Sequence, residues 1–331
     1  MIIHSKSHAR AGLIGNPSDG YYGKTIAFLV RNFEAEVSLW ESPRLEILPA
    51  ARDHSVFSSI DQLAADVRVF GYYGGIRLLK ATIKRFHDYC REAGITLDKR
   101  NFTLSYRSNI PPQVGMAGSS AIITAALRAL MEFHAVAIPL PIMPNIILSV
   151  EKDELNIPAG LQDRVIQAYG GVVYMDFDES LMREHGHGTY EPMDPALLPP
   201  LYIAYNTRLS EGTEVFHNNI RARYDNGDAE VRAAMQTWAG LAREARDLIA
   251  SGRGTEIGPL LDANFDLRRK LYRISDGNLM MVNTARALGA TAKFTGSGGA
   301  IVGTYHGEDM FDALVTTLAA HGVAVIKPAI A

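Results

Sequence analysis

Hydrophobic and polar positions follow two different periods along the chain. Short stretches that are apolar, or that alternate at every second residue, predict strands, because successive side chains of a strand point to opposite faces. These stretches lie at 11–14, 25–30, 36–40, 45–48, 101–106, 170–177, 201–205, 291–294, 300–305 and 323–326. They interleave irregularly with predicted helices rather than in a strict βαβ series. The pattern therefore predicts an α+β fold.

Apolar residues that recur every three or four positions predict the helices. The predicted helices cover roughly 75–92, 119–133, 228–251 and 257–272, with another opening near Asn145 and a last one before the final strand. Gly94 is expected to cap the end of the first helix, and Asp228 to be the N-cap of the long one. Cys90 lies on the apolar face of the first helix, so we interpret it as a core thiol rather than a nucleophile.

The stretch 178–200 shows neither period and is rich in His, Gly, Pro and Met. A chain of 331 residues is long enough for two domains. We therefore expect an N-terminal domain at residues 1–190 and a C-terminal domain at residues 191–331. Glu184–His187 lies in this stretch, but no other ligand cluster is near it in sequence, and we interpret it as an exposed loop rather than a metal site.

The composition is that of a globular protein, with 47% hydrophobic and 21% charged residues. The net charge is -3 and Lys and Arg form no cluster, so we expect no nucleic-acid partner. No apolar segment reaches the roughly 18 residues of a membrane span, and the first ten residues lack the apolar run of a signal peptide. We expect a cytoplasmic protein that does not bind a membrane. The single cysteine excludes an intrachain disulfide.

The strongest chemical feature is a glycine-rich loop in front of a predicted helix. Residues 111–121 read Pro-Pro-Gln-Val-Gly-Met-Ala-Gly-Ser-Ser-Ala. Glycines let backbone N–H groups approach an anion, and the free donors and partial positive charge of a helix start favour phosphate oxygens. The alternative is a tight turn with a serine N-cap. The loop taken alone does not decide between the two.

Two other glycine motifs each lack a glycine that nucleotide binding requires. Gly23-Lys24-Thr25 resembles the end of a Walker loop, but Ser18 stands where the loop requires its first glycine. The segment 296–301 resembles a dinucleotide fingerprint, yet Ile301 replaces its final glycine and no suitable helix follows. Neither motif predicts nucleotide binding.

Three segments, taken together, resemble the three motifs of the GHMP kinases. These are Arg10–Gly15, Pro111–Ala121 and Thr295–Ala300, in the order and at the distances usual for that family. The resemblance spans nearly the whole chain. It implies an N-terminal domain like ribosomal protein S5 domain 2, a ferredoxin-like C-terminal domain, and ATP bound in the cleft between them.

The resemblance implies roles for individual residues. Asp163 stands at the position of the family's catalytic aspartate, which takes or orients the proton of the substrate hydroxyl. Arg10 stands where relatives carry a cation that pairs with this aspartate and helps neutralise the transferring phosphoryl group. Without the resemblance, Asp163 could be an ordinary helix charge and Arg10 a surface arginine. The residues implied to bind the ATP phosphates are Pro112, Gly115, Met116, Ala117, Gly118, Ser119, Ser120 and Ala121.

The resemblance also implies that Mg²⁺ is bound together with ATP. Glu151 matches the family's acidic metal ligand, and the hydroxyl of Ser119 or Ser120 is its expected partner. Gly118 stands where a serine or threonine is frequent in relatives, so the choice between the two serines stays open. Judged alone, Glu151–Glu154 is a charged run of the kind that usually forms a solvated face.

Longer stretches point to a substrate class. Asp19 matches the family aspartate that hydrogen-bonds sugar hydroxyls, while Asn16-Pro17 replaces the Glu-His of galactokinases and argues against galactose. The substrate side of the third motif would be formed by Gly296, Ser297 and Gly298. The stretches that resemble plant glucuronokinases are 11–19, 71–75, 159–164 and 292–299.

A uronic acid requires a cation for its carboxylate, ideally a forked arginine. Arg164 and Arg77 are candidates, although either could form a structural ion pair instead. Tyr72 and Tyr73 could line the base or the sugar, or pack in the core. We expect an ATP-dependent kinase that phosphorylates glucuronic acid at the anomeric hydroxyl. The alternatives are another sugar or a heptose as substrate, or a catalytically inert sugar sensor.

Overall fold

The computed structural model describes residues 2–50, 53, 74–206 and 214–330. Tyr72 and Tyr73, predicted to line the base or the sugar, lie outside the described residues. The strands are β1 (Ile2–Ile14), β2 (Lys24–Glu41), β3 (Glu46–Ile47), β4 (Phe102–Ser108), β5 (Val172–Asp176), β6 (Thr189–Met193), β7 (Leu201–Tyr205), β8 (Lys293–Phe294), β9 (Ala300–Thr304) and β10 (Ala324–Ile326).

Helices and short helical turns separate these strands. The helices are α1 (Gly75–Glu92), α2 (Gly118–Phe133), α3 (Met143–Ser149), α4 (Gln162–Tyr169), α5 (Glu179–His185), α6 (Glu214–Asp225), α7 (Ala229–Ala250), α8 (Gly258–Leu271), α9 (Asp276–Ala287) and α10 (Gly307–Ala319). The turns that matter for the site are a 3₁₀ turn at Ser18–Tyr21 and a π-helical turn at Val150–Glu154. The α+β class is confirmed.

The first sheet is built around the long strand β2. One edge of β2 pairs with β1, and its other edge pairs with β4 at 35–41 and with β5 at 24–28. The sequence predicted two strands here, at 25–30 and 36–40, because the polar residues Arg31, Asn32 and Glu34 interrupt the pattern. They form one strand because a register shift between His8 and Ala9 of β1 accommodates the extra residues without ending the ladder.

Helix α2 fills the inner face of this sheet. Its Ala, Leu and Ile side chains are buried on nearly every side, where they pack against β1, β2 and α1. A helix that is apolar all round is expected in such a position. Since α2 begins directly after the glycine-rich loop, burial of the helix fixes the position of that loop.

The second sheet carries the strand order β10-β7-β9-β8, and its paired strands are antiparallel. Helices α6 to α9 separate β7 from β8, and α10 lies between β9 and β10, which is the ferredoxin-like arrangement. Helix α7 begins as predicted, since the side chain of Asp228 accepts hydrogen bonds from the N–H groups of Glu230 and Val231. It also packs against β2, so the two halves of the chain share an interface.

The prediction of an irregular segment at 178–200 is wrong. Asp178 caps α5 and Gly186 follows its end with φ +73°, which are ordinary helix signals that a short segment conceals. Strand β6 pairs with β5 in the first sheet and spans positions 190 and 191. The change from one sheet to the other therefore lies between Met193 and Leu201 rather than after residue 190.

Two further points concern the helices. The helical pattern did not reveal α9, although its residues Met281, Val282 and Ala285 are fully buried in the second half of the chain. Cys90 is buried on α1 among apolar side chains, in agreement with its interpretation as a core thiol. In the part of the chain that the structure describes, none of the helices combines the length and apolar character that crossing a bilayer requires.

Candidate active site

Backbone hydrogen bonds hold the three glycine-containing segments together. The N–H of Arg10 in β1 donates to Met116 O at 3.2 Å, and the N–H of Gly12 donates to Thr295 O at 2.8 Å. Segments that are more than 100 residues apart in sequence thus meet at one end of β1. The structure brings together the residues that the three motifs predicted.

Two of the loops approach each other so closely that glycine is required. A Cβ at Gly115 would lie 2.9 Å from Gly298 O, and Gly115 has φ +65°, which other residues rarely adopt. Ala117 is also left-handed, with φ +59°, and precedes the first turn of α2. This loop therefore presents its backbone at a helix N-terminus, an arrangement suited to phosphate oxygens.

Arg10, which is buried, and Asp163, which is partly buried, form an ion pair at the centre of the site. Arg10 Nε donates to Asp163 Oδ1 at 2.5 Å, while its Nη1 donates to Gly115 O at 2.5 Å and to Thr295 O at 3.2 Å. Burial alone would raise the pKa of Asp163, but the charges of Arg10 and Arg164 outweigh it and hold that pKa below its ordinary value. Asp163 is therefore an ionised carboxylate beside the glycine-rich loop.

Glu151 is not part of a solvated face. It is 1% exposed, whereas Lys152 and Asp153 beside it are exposed. The π-helical turn aims Glu151 inward, where its Oε1 accepts a hydrogen bond from Ser119 Oγ at 2.6 Å. Its Oε2 accepts from the guanidinium of Arg164.

The oxygen atoms of Ser119 and Glu151 fit a magnesium ion. Their separation of 2.6 Å is close to the spacing of about 2.9 Å that neighbouring ligands have in an octahedron with Mg–O bonds of about 2.05 Å. Ser120 is fully buried and its Oγ donates to Ala117 O at 3.3 Å, so it faces the helix start instead. Of the two serines left open by the sequence, Ser119 is the one positioned beside Glu151.

Asp19 lies next to Asp163, on the 3₁₀ turn at Ser18–Tyr21. Its Oδ2 accepts from the N–H of Gln162 at 3.3 Å, and a side chain at Gly160 would collide with its carboxylate. Burial raises the pKa of Asp19 to about 6, and the neighbouring charge of Asp163 adds to the increase. The Asp19 carboxylate is thus a hydrogen-bond acceptor whose charged form would be stabilised by donors such as sugar hydroxyls.

The structure does not favour Arg164 as a partner for a substrate carboxylate. It is 4% exposed, its Nε and Nη2 donate to Glu151, and its Nη1 donates to Gly160 O at 2.8 Å and lies 3.2 Å from Asp163. It therefore joins Asp163 to Glu151. Arg77, the other candidate, donates to Leu155 O at 2.8 Å from the exposed face of α1.

The sequence did not reveal two buried basic residues beneath the third motif. Arg268 donates to Gly296 O at 2.9 Å and to Ser297 O at 3.2 Å, and so fixes the loop carbonyls. Lys293 donates to Gly12 O at 2.7 Å, and burial, with Arg268 and Arg10 nearby, lowers its pKa well below the ordinary value. In sequence, Arg268 is one of several basic residues in the last turn of a helix, a common pattern that hid its role.

Relatives of the chain agree with this geometry. Residues 77–171 match the family described as GHMP kinases N terminal domain. Glucuronokinase 1 of Arabidopsis thaliana is 45% identical over 306 residues, which cover 91% of this chain and 84% of that protein. Probable glucuronokinase 2 of the same plant is 46% identical over 308 residues, with the same two shares.

Solved structures give the same fold at lower identity. Lactococcus lactis galactokinase, solved in complex with galactose, superposes with a TM-score of 0.74 at 16% identity, covering 99% of this chain and 93% of that one. The structural similarity to galactokinase shows a shared fold. The sequence identity to the plant proteins, which extends over 91% of this chain, shows homology. A phosphotransferase with an alcohol acceptor follows from that homology, and the chain belongs to the GHMP kinases, among which it resembles the plant glucuronokinases.

Proposed function

We propose that this protein transfers the γ-phosphate of ATP to the anomeric hydroxyl of glucuronate. The observation that carries the proposal is the ionised Asp163, held by Arg10 at 2.5 Å beside the phosphate-binding loop. A proton acceptor next to an anion site is what phosphoryl transfer to a hydroxyl requires. The names of the two plant relatives supply the choice of sugar.

In the proposed reaction, the hydroxyl oxygen of the sugar forms a bond to the γ-phosphorus while the bond from that phosphorus to the β,γ-bridging oxygen breaks. ADP leaves with the bridging oxygen, and the hydroxyl proton passes to Asp163 and then to solvent. The guanidinium of Arg10 lies between Asp163 and the loop carbonyl of Gly115. Its positive charge there would stabilise the negative charge that develops on the transferred group.

The remaining residues bind and orient the reactants. Backbone N–H groups of the loop at 115–120 would hold the triphosphate, and Asp19 would accept hydrogen bonds from sugar hydroxyls. Glu151 and Ser119 would hold Mg²⁺, which neutralises phosphate charge when bound. Most of the catalytic effect in this reaction class comes from such positioning and charge stabilisation.

Release of ADP measured with glucuronate, glucose, galactose and a manno-heptose tests the choice of sugar. We expect kcat/KM for glucuronate to exceed that for glucose by about 10- to 150-fold, the value of one charge-assisted hydrogen bond to the carboxylate. Phosphorus NMR of the product should show coupling to the anomeric proton. Equal rates with glucose and glucuronate would reject the uronic acid as the substrate class. Phosphorus coupling to a different proton would reject the anomeric hydroxyl as the acceptor.

The same experiment decides between the alternatives. Turnover of the heptose above that of glucuronate would favour a heptose kinase, and binding of a sugar without any ADP release would favour an inert sensor. The intact set of Arg10, Glu151 and Asp163, all within one hydrogen-bonded cluster, supports an enzyme.

A further inference from the structure

Helix α6 lies against the turn that carries Asp19. Ile220 of this helix is buried in a cluster with Tyr21 and Trp238. The ring of Tyr224 is 4.8 Å from the ring of Tyr21, and its hydroxyl donates to Tyr21 O at 3.4 Å. A helix from the C-terminal half of the chain thus docks beside the proposed sugar site in the N-terminal half.

Arg221 extends from this helix over the same turn. Its Nη2 donates to Gly20 O, and its guanidinium carbon lies 4.2 Å from the centre of the Tyr21 ring. Both contacts fall on the two residues that directly follow Asp19 in the 3₁₀ turn, so Arg221 lies on the turn that carries the proposed sugar-binding carboxylate.

The other arginines of the site are already engaged by protein groups. Arg10, Arg164 and Arg268 are each at most 5% exposed and donate to carboxylates or carbonyls of the site. The side chain of Arg221 is 47% exposed, and it forms a loose ion pair at 3.8 Å with Asp225, which is itself exposed. Arg221 also has protein partners, at Gly20 O and Asp225, but unlike the buried arginines it keeps about half of its side chain accessible to a ligand at the Asp19 turn.

We propose that Arg221 binds the carboxylate of the uronic acid and so selects acidic sugars. The assignment rests on the proposed function, because it concerns the same site and the same substrate. In a pyranose uronic acid, the carboxylate and the anomeric hydroxyl are carried by the two carbons that flank the ring oxygen. A sugar whose anomeric oxygen is near Asp163 and whose other hydroxyls contact Asp19 can therefore present its carboxylate to a neighbouring cation. The planar guanidinium matches a carboxylate in a forked geometry.

The test uses Arg221→Met and two substrates that differ at one group, a carboxylate in one and a neutral carboxamide in the other. Glucuronate and its neutral carboxamide, glucuronamide, have nearly the same shape. Because Arg221 is half exposed, we expect the low end of the range for a charge-assisted hydrogen bond. The substitution should lower kcat/KM for glucuronate by about 10-fold, mainly through KM, and leave kcat/KM for glucuronamide unchanged.

Matched variants separate recognition from structure. Arg232→Met removes a nearby arginine, whose guanidinium carbon is 5.6 Å from the centre of the Tyr224 ring, and should leave both substrates unaffected. Arg221→Lys keeps the charge without the fork and should restore part of the preference. Thermal unfolding of each variant checks that the fold is retained.

The outcomes distinguish this inference from the proposed function. A wild-type protein that does not prefer glucuronate over glucose overturns both. A wild-type protein that prefers glucuronate over glucose but not over glucuronamide overturns only the role of Arg221. A wild-type preference that survives in Arg221→Met overturns the role of Arg221 and leaves the glucuronate kinase standing. An equal loss on both substrates also overturns it, because Arg221 would then only hold the turn at Gly20.

Discussion

Removing the charge of Glu151 should destabilise the protein as well as inactivate it. Glu151 is 1% exposed and its partner Arg164 is 4% exposed, so Glu151→Gln leaves a buried guanidinium without its main counter-charge. Breaking a buried pair from one side typically costs about 3–5 kcal/mol of unfolding free energy. Asp163 lies 3.2 Å from Arg164 and compensates in part. We therefore expect a loss near the lower end, about 3 kcal/mol.

The double variant Glu151→Gln/Arg164→Met separates stability from catalysis. It removes both buried charges, so most of the lost unfolding free energy should return, as for other buried pairs replaced as a unit. Activity should not return, because the proposed magnesium ligand is still missing. Urea unfolding measures the first effect, and ADP release over a magnesium titration measures the second.

Two results would refute this reasoning. If Glu151→Gln unfolds at the same urea concentration as the wild type, the buried ion pair does not contribute as its geometry indicates. If the stabilised double variant has the kcat and the magnesium dependence of the wild type, Glu151 has no part in the reaction. The two failures are independent, since the first concerns the fold and the second concerns the metal.

Two further predictions concern the acidic residues beside the ion pair. Asp163→Asn should lower kcat by at least about 100-fold, the usual effect of a positioned proton acceptor, without weakening ATP binding in calorimetry; a kcat near that of the wild type would remove Asp163 from this role. Because the pKa of Asp19 is raised from 3.8 to about 6, the folded protein binds the Asp19 proton more tightly than the unfolded chain does. The stability that this protonation contributes is fully present below pH 4 and is lost as the pH rises through 6. Relative to the wild type, Asp19→Asn should therefore gain about 2 kcal/mol of unfolding free energy between pH 4 and pH 7 in urea melts. Asp312→Asn, on the exposed side of α10, serves as the control, and a gain that does not change with pH would contradict the assignment.

Local signals in the sequence were sufficient for the long elements of the fold. The predicted helix at 75–92 is α1, and Gly94 follows it with φ +69°, because cap and period agree there. Short elements failed for the opposite reason. Helix α5 has only two turns and buries none of its residues, so no apolar period marks it, and its Asp178 cap alone is a weak signal.

The site shows a different limit. Arg10, Asp163 and the glycine loop were predicted because their spacing along the chain is characteristic of a family. The partner of Arg164 could not be predicted in the same way, since Glu151 is 13 residues away and only the π-helical turn directs it inward. Arg221 could not be singled out either, because nothing in the local sequence of α6 indicates that it docks on the turn at 18–21.

Alternation of charge explains how the site can be buried at all. Arg10, Asp163, Arg164 and Glu151 form a continuous row of two cations and two anions, linked at each step by a contact of at most 3.2 Å. Such a row is neutral in sum, and the two arginines hold the pKa of Asp163 below its ordinary value despite its burial. Asp19 is a third carboxylate beside this row. Within the described residues, Asp19 forms no ion pair and accepts a hydrogen bond from the backbone N–H of Gln162. Burial and the nearby charge of Asp163 raise the pKa of Asp19 to about 6. Hydroxyl groups of a bound sugar would donate hydrogen bonds to this carboxylate and so stabilise its charge.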